Sequence, residues 1–69
     1  FGDELIDIIQ SALFSLPEEL RVAVTLREIE GLSYEDISSI MMCPIGTVRS
    51  RIFRAREVLN LKIKEYTQS

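Results

Sequence analysis

Residues 43–56 read CPIGTVRSRIFRAR, and they combine a helical apolar pattern with four arginines. Its apolar residues recur three or four positions apart, which places them on one face of a helix. They are Ile45, Val48, Ile52 and Ala55, followed by Leu59. Cys43 and Pro44 are expected to be the cap and the first residue, because proline lacks the N–H that has no partner at that position. The pattern predicts a helix from about 44 to 63 with one buried face and basic side chains around it.

The charges of the chain are unevenly divided. Residues 1–42 hold nine carboxylates and two arginines, a net charge of −7, whereas residues 43–69 hold six basic and two acidic side chains, a net charge of +4. The whole chain is therefore acidic, with a net charge of −3. A polyanion responds to the local field more than to the total charge, and one basic segment is enough to attract a phosphate backbone. The basic helix is thus a candidate for binding nucleic acid.

Size and composition exclude several classes of protein. With 69 residues the chain forms one small domain, which leaves no room for a deep catalytic cleft. It has no histidine and a single cysteine, Cys43, so an internal disulfide and the usual zinc sites are excluded. No apolar run approaches the roughly 20 residues that span a bilayer. We expect a soluble protein that is not an enzyme and needs no cofactor or metal.

Two helices are predicted in the acidic part of the chain. Apolar residues at helical spacing indicate a first helix at about 4–15, with Asp3 placed to cap its first turn. A second helix, at about 17–30, would begin at Pro17 and stop at Gly31. Because the second helix is apolar on two faces, we expect it to be packed on both sides at the centre of the domain.

A third, short helix is predicted at about 34–42, where Ser33 and Asp36 form a relative of the capping box. Only a few residues join it to the basic helix, and four positions across the joint have the spacing of a helix-turn-helix. These positions are Ile37, Ser38, Met41 and Val48. Met42 stands where such a turn often has glycine. With no alternating strand pattern, the prediction is an all-α, four-helix domain with a C-terminal helix-turn-helix at about 33–63 and no winged elements.

A step of 100° per residue from the inward Val48 sorts the other side chains of the basic helix. A recognition helix enters the major groove through its N-terminal residues. Those expected to meet base edges are Thr47, Ser50, Phe53 and Arg54, and Gly46 would let the backbones approach each other. Those better placed for phosphates, which position a protein without specifying sequence, are Arg49, Arg51 and Arg56. Tyr34 is a further phosphate candidate, and packing is an equal alternative for it.

The same residues also have less specific, purely structural interpretations. A basic helix face is often only solvated, and Phe53 would be packed in the core if the helix were rotated. Arg21 and Arg27 are expected to pair with acidic neighbours on the second helix. Cys43 is expected to be a cap or a small core residue, because no second thiol is present to react with it.

Three blocks of sequence, in this order, carry a family resemblance. They are LPEELR at 16–21, LRE at 26–28 with GLSYEDI at 31–37, and CPIGTVRSRIFRAR at 43–56. Together they resemble region 4 of bacterial RNA polymerase sigma factors of the extracytoplasmic-function group, most of all the sigma-E-like branch. The resemblance covers about 16–60, and sigma region 2 is absent. Since the chain also lacks a starting methionine and a targeting segment, we expect 1–69 to be a region 4 domain from a longer protein.

The resemblance implies a set of partners and roles. The chain would be the promoter-recognition module of an alternative sigma factor in the bacterial cytoplasm. Its fourth helix would bind the minus-35 promoter element through the major groove. The positions matching the DNA-contacting residues of the family are Arg49, Ser50, Phe53 and Arg54. The first helices would dock on the beta-flap of the RNA polymerase core, an anti-sigma factor would mask the same surfaces, and no membrane insertion is implied.

Two alternatives to this interpretation differ in class. A response-regulator output domain also carries a Gly-Thr-Val segment in its recognition helix, but that class lacks the block at 16–21. A protein-interaction module would use the arginines to bind an acidic partner. Salt-dependent binding to duplex DNA with a preferred sequence distinguishes these alternatives.

Overall fold

A computed structural model describes residues 2–68 and confirms the all-α prediction. Helix α1 is Gly2–Ser15, and α2 is Glu18–Val24, continued without a break by a π-helical segment at Thr25–Ile29. Helix α3 is Tyr34–Met41 and α4 is Ile45–Gln68. Residues 2–68 contain no β-strand. The order of elements is the one predicted, and α4 continues several residues beyond the expected end at 63.

The starts of three helices differ by a residue or two from the prediction. Pro17 has an extended ψ of 148°, and its carbonyl accepts from the N–H groups of Leu20 and Arg21, so it lies one position before α2 as the N-cap. Pro44 likewise precedes α4, because its carbonyl accepts from the N–H of Val48 at 3.1 Å. Asp3 lies inside the first turn of α1 and is not its cap, since that helix already includes Gly2.

The second helix widens before it ends. The N–H of Glu30 donates to the carbonyl of Thr25, five residues back, at 3.1 Å, which is the bonding pattern of a π-helix. Gly31 follows with a φ of +73°, a left-handed conformation that glycine adopts without steric cost. The N–H of Leu32 then closes the end by donating to the carbonyl of Leu26 at 3.0 Å. Gly31 therefore stops the helix as predicted, after a π turn that was not predicted.

Two apolar clusters form the core, and α2 and α4 contribute to both. The first cluster contains Ala23, Ile37, Val48 and Ile52, and the second contains Leu16, Val24 and Ala55. The buried stripe of α4 is confirmed at Val48, Ile52 and Ala55, whereas Ile45 and Leu59 at its ends are half-buried. The prediction that both faces of the second helix are packed is wrong at its end, where Ile29 is exposed. Ile29 lies inside the π turn, where side chains point in other directions than in an α-helix.

Hydrogen bonds hold both ends of α3, including the turn that joins it to α4. The Ser33 side chain accepts from the N–H of Asp36 at 3.1 Å, which confirms the predicted cap of α3. Ser38, expected only to be small, also donates its hydroxyl to the carbonyl of Cys43, whose N–H donates back to the Ser38 carbonyl at 3.2 Å. Between them Met42 adopts φ 55° and ψ 48°, the left-handed conformation that glycine usually provides.

The C-terminal end of α4 contacts the start of α1. The Tyr66 hydroxyl donates to the Glu4 carboxylate at 3.2 Å. Partial desolvation and the nearby negative charge of Glu4 raise the pKa of the Tyr66 phenol. This contact joins the last turns of α4 to the first turn of α1. None of the helices formed by residues 2–68 has the length and apolarity to cross a bilayer.

Candidate nucleic-acid interface

The N-terminal half of α4 has a buried side and an open side. Val48, Ile52 and Ala55 are buried against the other helices. Phe53 on the opposite side is 62% exposed, so it is not a core residue, and the alternative of a packed Phe53 is wrong. An exposed aromatic ring loses contact with ordered water when a partner covers it. This side of α4 is therefore the candidate interface.

The first turn of α4 leaves room for a close partner. A methyl group added at Gly46 would meet no atom within 4 Å, so the backbone is open to approach there. The Ser50 hydroxyl donates to the Gly46 carbonyl at 3.1 Å, which leaves its oxygen free to accept a further hydrogen bond. Thr47 and Arg54 line a shallow groove beside these residues, with Glu19 of α2 on its other wall. The four residues expected to meet base edges thus lie together on one open surface.

A tyrosine flanked by two arginines lies at one edge of this surface. The guanidinium carbons of Arg27 and Arg49 are 4.6 and 5.4 Å from the centroid of the Tyr34 ring. Such cation–π contacts hold guanidinium groups in place. Arg27 is fixed further because its Nη1 donates to the carbonyl of Leu32 at 2.8 Å.

The expectation that Arg27 pairs with an acidic neighbour is wrong, and so is the same expectation for Arg21. In the part of the chain that the structure describes, neither has a carboxylate partner, and Arg21 instead lies over the Phe14 ring at 5.9 Å. Arg27 is therefore a basic residue of the interface edge that the sequence analysis missed. The charge pattern predicts that Arg27 pairs with the acidic residues beside it in the sequence. Its contact with Tyr34 instead depends on how the second helix packs against α3.

The two remaining arginines are engaged with the protein to different degrees. Arg51 is half-buried, as expected for a residue beside the buried stripe, and its Nη1 lies 3.7 Å from the sulfur of Cys43. It shares a groove with Glu18 and Glu19. Arg56 pairs with Glu28 of the π-helical segment. Among residues 2–68, Arg49, Arg51 and Arg54 have no carboxylate within salt-bridge distance, so Arg56 is the paired arginine of α4.

Residues 2–68 contain no group of three or more side chains that are placed to hold a metal ion. Cys43 is half-buried against the first core cluster, as expected for a small packing residue. The surface is suited to binding and positioning, with arginines, the hydroxyls of Thr47 and Ser50 and the rings of Phe53 and Tyr34 as its working groups.

Comparison with known proteins identifies the family. The family described as "Sigma-70, region 4" matches residues 6–59. The chain is 60% identical over 63 residues to the ECF RNA polymerase sigma-E factor of Escherichia coli (strain K12) and 62% identical over 63 residues to that of Haemophilus influenzae. Each match covers 91% of this chain and 33% of the relative, so the chain spans about a third of these proteins. The chain therefore belongs to the sigma-70 region 4 family.

Proposed function

We propose that this chain is the promoter-recognition module of an alternative sigma factor and binds the minus-35 element through the major groove. One observation carries the proposal: in a member of this family, the row of Ser50, Phe53 and Arg54 on α4 is exposed on the side opposite the buried Val48, Ile52 and Ala55. A major groove about 12 Å wide admits one α-helix, and it is read by side chains near the start of that helix. A chain of this family is not an enzyme, and the proposal assigns it no reaction.

Each side chain of the open surface is suited to a different contact with the bases. Arg54 is suited to pair with O6 and N7 of a guanine through two parallel hydrogen bonds. The Ser50 oxygen is available to accept from an adenine or cytosine amino group, and Phe53 is suited to contact a thymine methyl. Thr47, at the wall of the shallow groove, would bind a base edge or an adjacent phosphate.

The arginines at the edge of the surface would hold the DNA backbone. Arg49 lies beside Tyr34, away from the row of Ser50 and Arg54, and this position supports a phosphate contact in preference to a base contact. Tyr34 orients Arg49 and Arg27, so the three side chains would act together on one strand. Arg51, half-buried and close to Cys43, would contribute less.

The surfaces away from α4 would bind the transcription machinery. Phe14 on α1 is 77% exposed, and Glu18 and Glu19 occupy the first turn of α2. This combination of apolar and acidic groups supports docking on the beta-flap of RNA polymerase. An anti-sigma factor would compete for the same surfaces. The relatives are RNA polymerase sigma factors by name, and a chain that directs transcription initiation would act in the bacterial cytoplasm.

Selection from randomised duplex DNA tests the function. The 69-residue chain is expected to enrich one short motif and to bind it with an affinity that falls steeply as salt rises, because phosphate contacts release counterions. Phe53→Ala should weaken binding to the selected duplex. Leu61→Ala is the matched control, since Leu61 is 60% exposed on the same helix but far from its start. Enrichment of no motif, or equal loss with both variants, would count against the proposal.

A further inference from the structure

Arg56, one of the candidate phosphate-binding arginines, is paired with a carboxylate of the same chain. Nε and Nη2 of Arg56 both donate to the same oxygen of Glu28, and the Nε contact measures 2.7 Å. The two residues are 28 positions apart and join α4 to the end of the second helix. Among residues 2–68 this is the one salt bridge, although eight basic side chains are present in the chain. Arg56 therefore differs from the other arginines of α4 in having its charge compensated.

The π turn brings Glu28 to this position. It begins at Thr25, and the N–H of Glu30 donates five residues back to the carbonyl of Thr25, so the backbone around Glu28 is wider than in an α-helix. Side chains in a π turn point in other directions than they would in a regular helix, and such turns are frequent at functional sites. On the same segment Arg27 contacts Tyr34, while Glu28 contacts Arg56. The segment thus presents one cation and one anion to the edge of the candidate interface.

We propose that Glu28 is an internal competitor for the phosphate contact of Arg56 and thereby lowers the affinity of the domain for DNA of any sequence. The inference rests on the proposed function, since it requires that the edge of α4 meets a phosphate backbone. Glu28 is in this account a positioning residue: it acts on DNA only through Arg56. Because phosphate contacts do not depend on base identity, the effect applies equally to specific and non-specific DNA.

The exposure of the pair supports competition over a purely structural role. The side chains of Arg56 and Glu28 are 47% and 46% exposed, so water and salt screen their attraction. An incoming phosphate meets a guanidinium of which only two N–H groups point at Glu28, out of the five that arginine carries. DNA is thus able to share or displace the carboxylate, but it gains less from Arg56 than from an arginine without a carboxylate partner.

Glu28→Gln is the variant that tests this competition. It removes the carboxylate charge and keeps the size of the side chain. Glu30→Gln is the matched control, because it removes an equal charge only two residues from Glu28. The Glu30 side chain is exposed and has no basic partner among residues 2–68. Arg56→Ala and the double variant Glu28→Gln with Arg56→Ala complete a double-mutant cycle. Binding to the selected duplex and to a scrambled duplex is measured by fluorescence anisotropy at 50 and 200 mM salt.

Freeing one arginine adds about one phosphate contact, which steepens the logarithmic salt dependence by about 0.9. Glu28→Gln should therefore bind both duplexes more tightly than Glu30→Gln does, with an advantage that shrinks about 3.5-fold between the two salt concentrations. Arg56→Ala should lower the affinity for DNA slightly in the natural chain and strongly in a chain that also carries Glu28→Gln. The salt slope and this coupling are readouts that a purely structural contact would not change.

Three outcomes overturn the inference in distinguishable ways. In the first, the unaltered chain binds the selected duplex, but Glu28→Gln has the affinity of Glu30→Gln or binds more tightly even when Arg56 is replaced by alanine. Glu28 then does not compete with DNA for Arg56. If Glu28→Gln loses its helical circular dichroism signal, the pair is a structural support instead. If the unaltered chain binds no duplex, the proposed function fails and the inference fails with it.

Discussion

Replacing Met42 by glycine should stabilise the domain, although it removes a side chain. Met42 holds a left-handed conformation, with φ 55° and ψ 48°, at the end of α3. For a residue with a Cβ atom this conformation costs about 1–2 kcal/mol, because the Cβ approaches the following carbonyl oxygen. Glycine has no such contact. The Met42 side chain is 90% exposed, so its removal sacrifices almost no buried apolar area.

The gain is reduced by the greater freedom of glycine in the unfolded chain. That freedom is worth about 0.4–1 kcal/mol, which leaves a net stabilisation of about 0.5–1 kcal/mol for Met42→Gly. The hydrogen bond from the Met42 N–H to the Ser38 carbonyl is a backbone contact and remains. For a domain of this size the melting temperature should rise by about 2–8 °C.

Thermal unfolding followed by circular dichroism measures this effect, and Met42→Ala is the matched control. Alanine loses the same side chain but keeps the Cβ atom, so it should melt within a degree or two of the unaltered chain. A melting temperature for Met42→Gly that is equal to or below that of Met42→Ala would refute the reasoning, because the strain at this position would then be absent.

Three further predictions concern the core and the interface. Ile52→Ala removes a buried side chain of the first core cluster and should destabilise the domain by about 2–5 kcal/mol in urea unfolding, whereas Leu61→Ala should cost little; equal costs would contradict the burial of the α4 stripe. Arg54→Ala should lose about 1–3 kcal/mol of binding to the selected duplex and relax the preference at one base pair; equal loss on scrambled DNA would contradict base reading. Tyr34→Leu should weaken binding to specific and scrambled DNA alike, because it releases the two arginines beside the ring; unchanged affinity for both would show that they need no such support.

The helices and their order were predictable because their signals are local. Gly31 stops the second helix and Ser33 caps the third, and each acts through its own backbone or through a residue three positions away. The buried stripe of α4 and the exposed Phe53 follow from the 3.6-residue period of a single helix. These features need no knowledge of how the helices pack.

The parts that escaped prediction depend on contacts between distant residues. The π turn at Thr25–Ile29 has no periodic signal, because one extra residue in a turn resembles an ordinary helix in sequence. Charge alone predicted that Arg27 pairs with acidic neighbours along the second helix, and it predicted no particular partner for Glu28. In the folded chain Arg27 contacts Tyr34, and Glu28 contacts Arg56 on another helix. Which arginines of the interface are free is therefore a property of the tertiary structure.

Titration of the isotope-labelled chain with the selected duplex, followed by amide chemical shifts, is the closest test of DNA reading by α4. The largest shifts are expected at residues 46–54 of α4 and near Tyr34. The shifts at 46–54 should shrink with a scrambled duplex, while those near Tyr34 should persist. Shifts confined to α1 and α2, or an identical pattern with both duplexes, would contradict the claim that the start of α4 reads DNA.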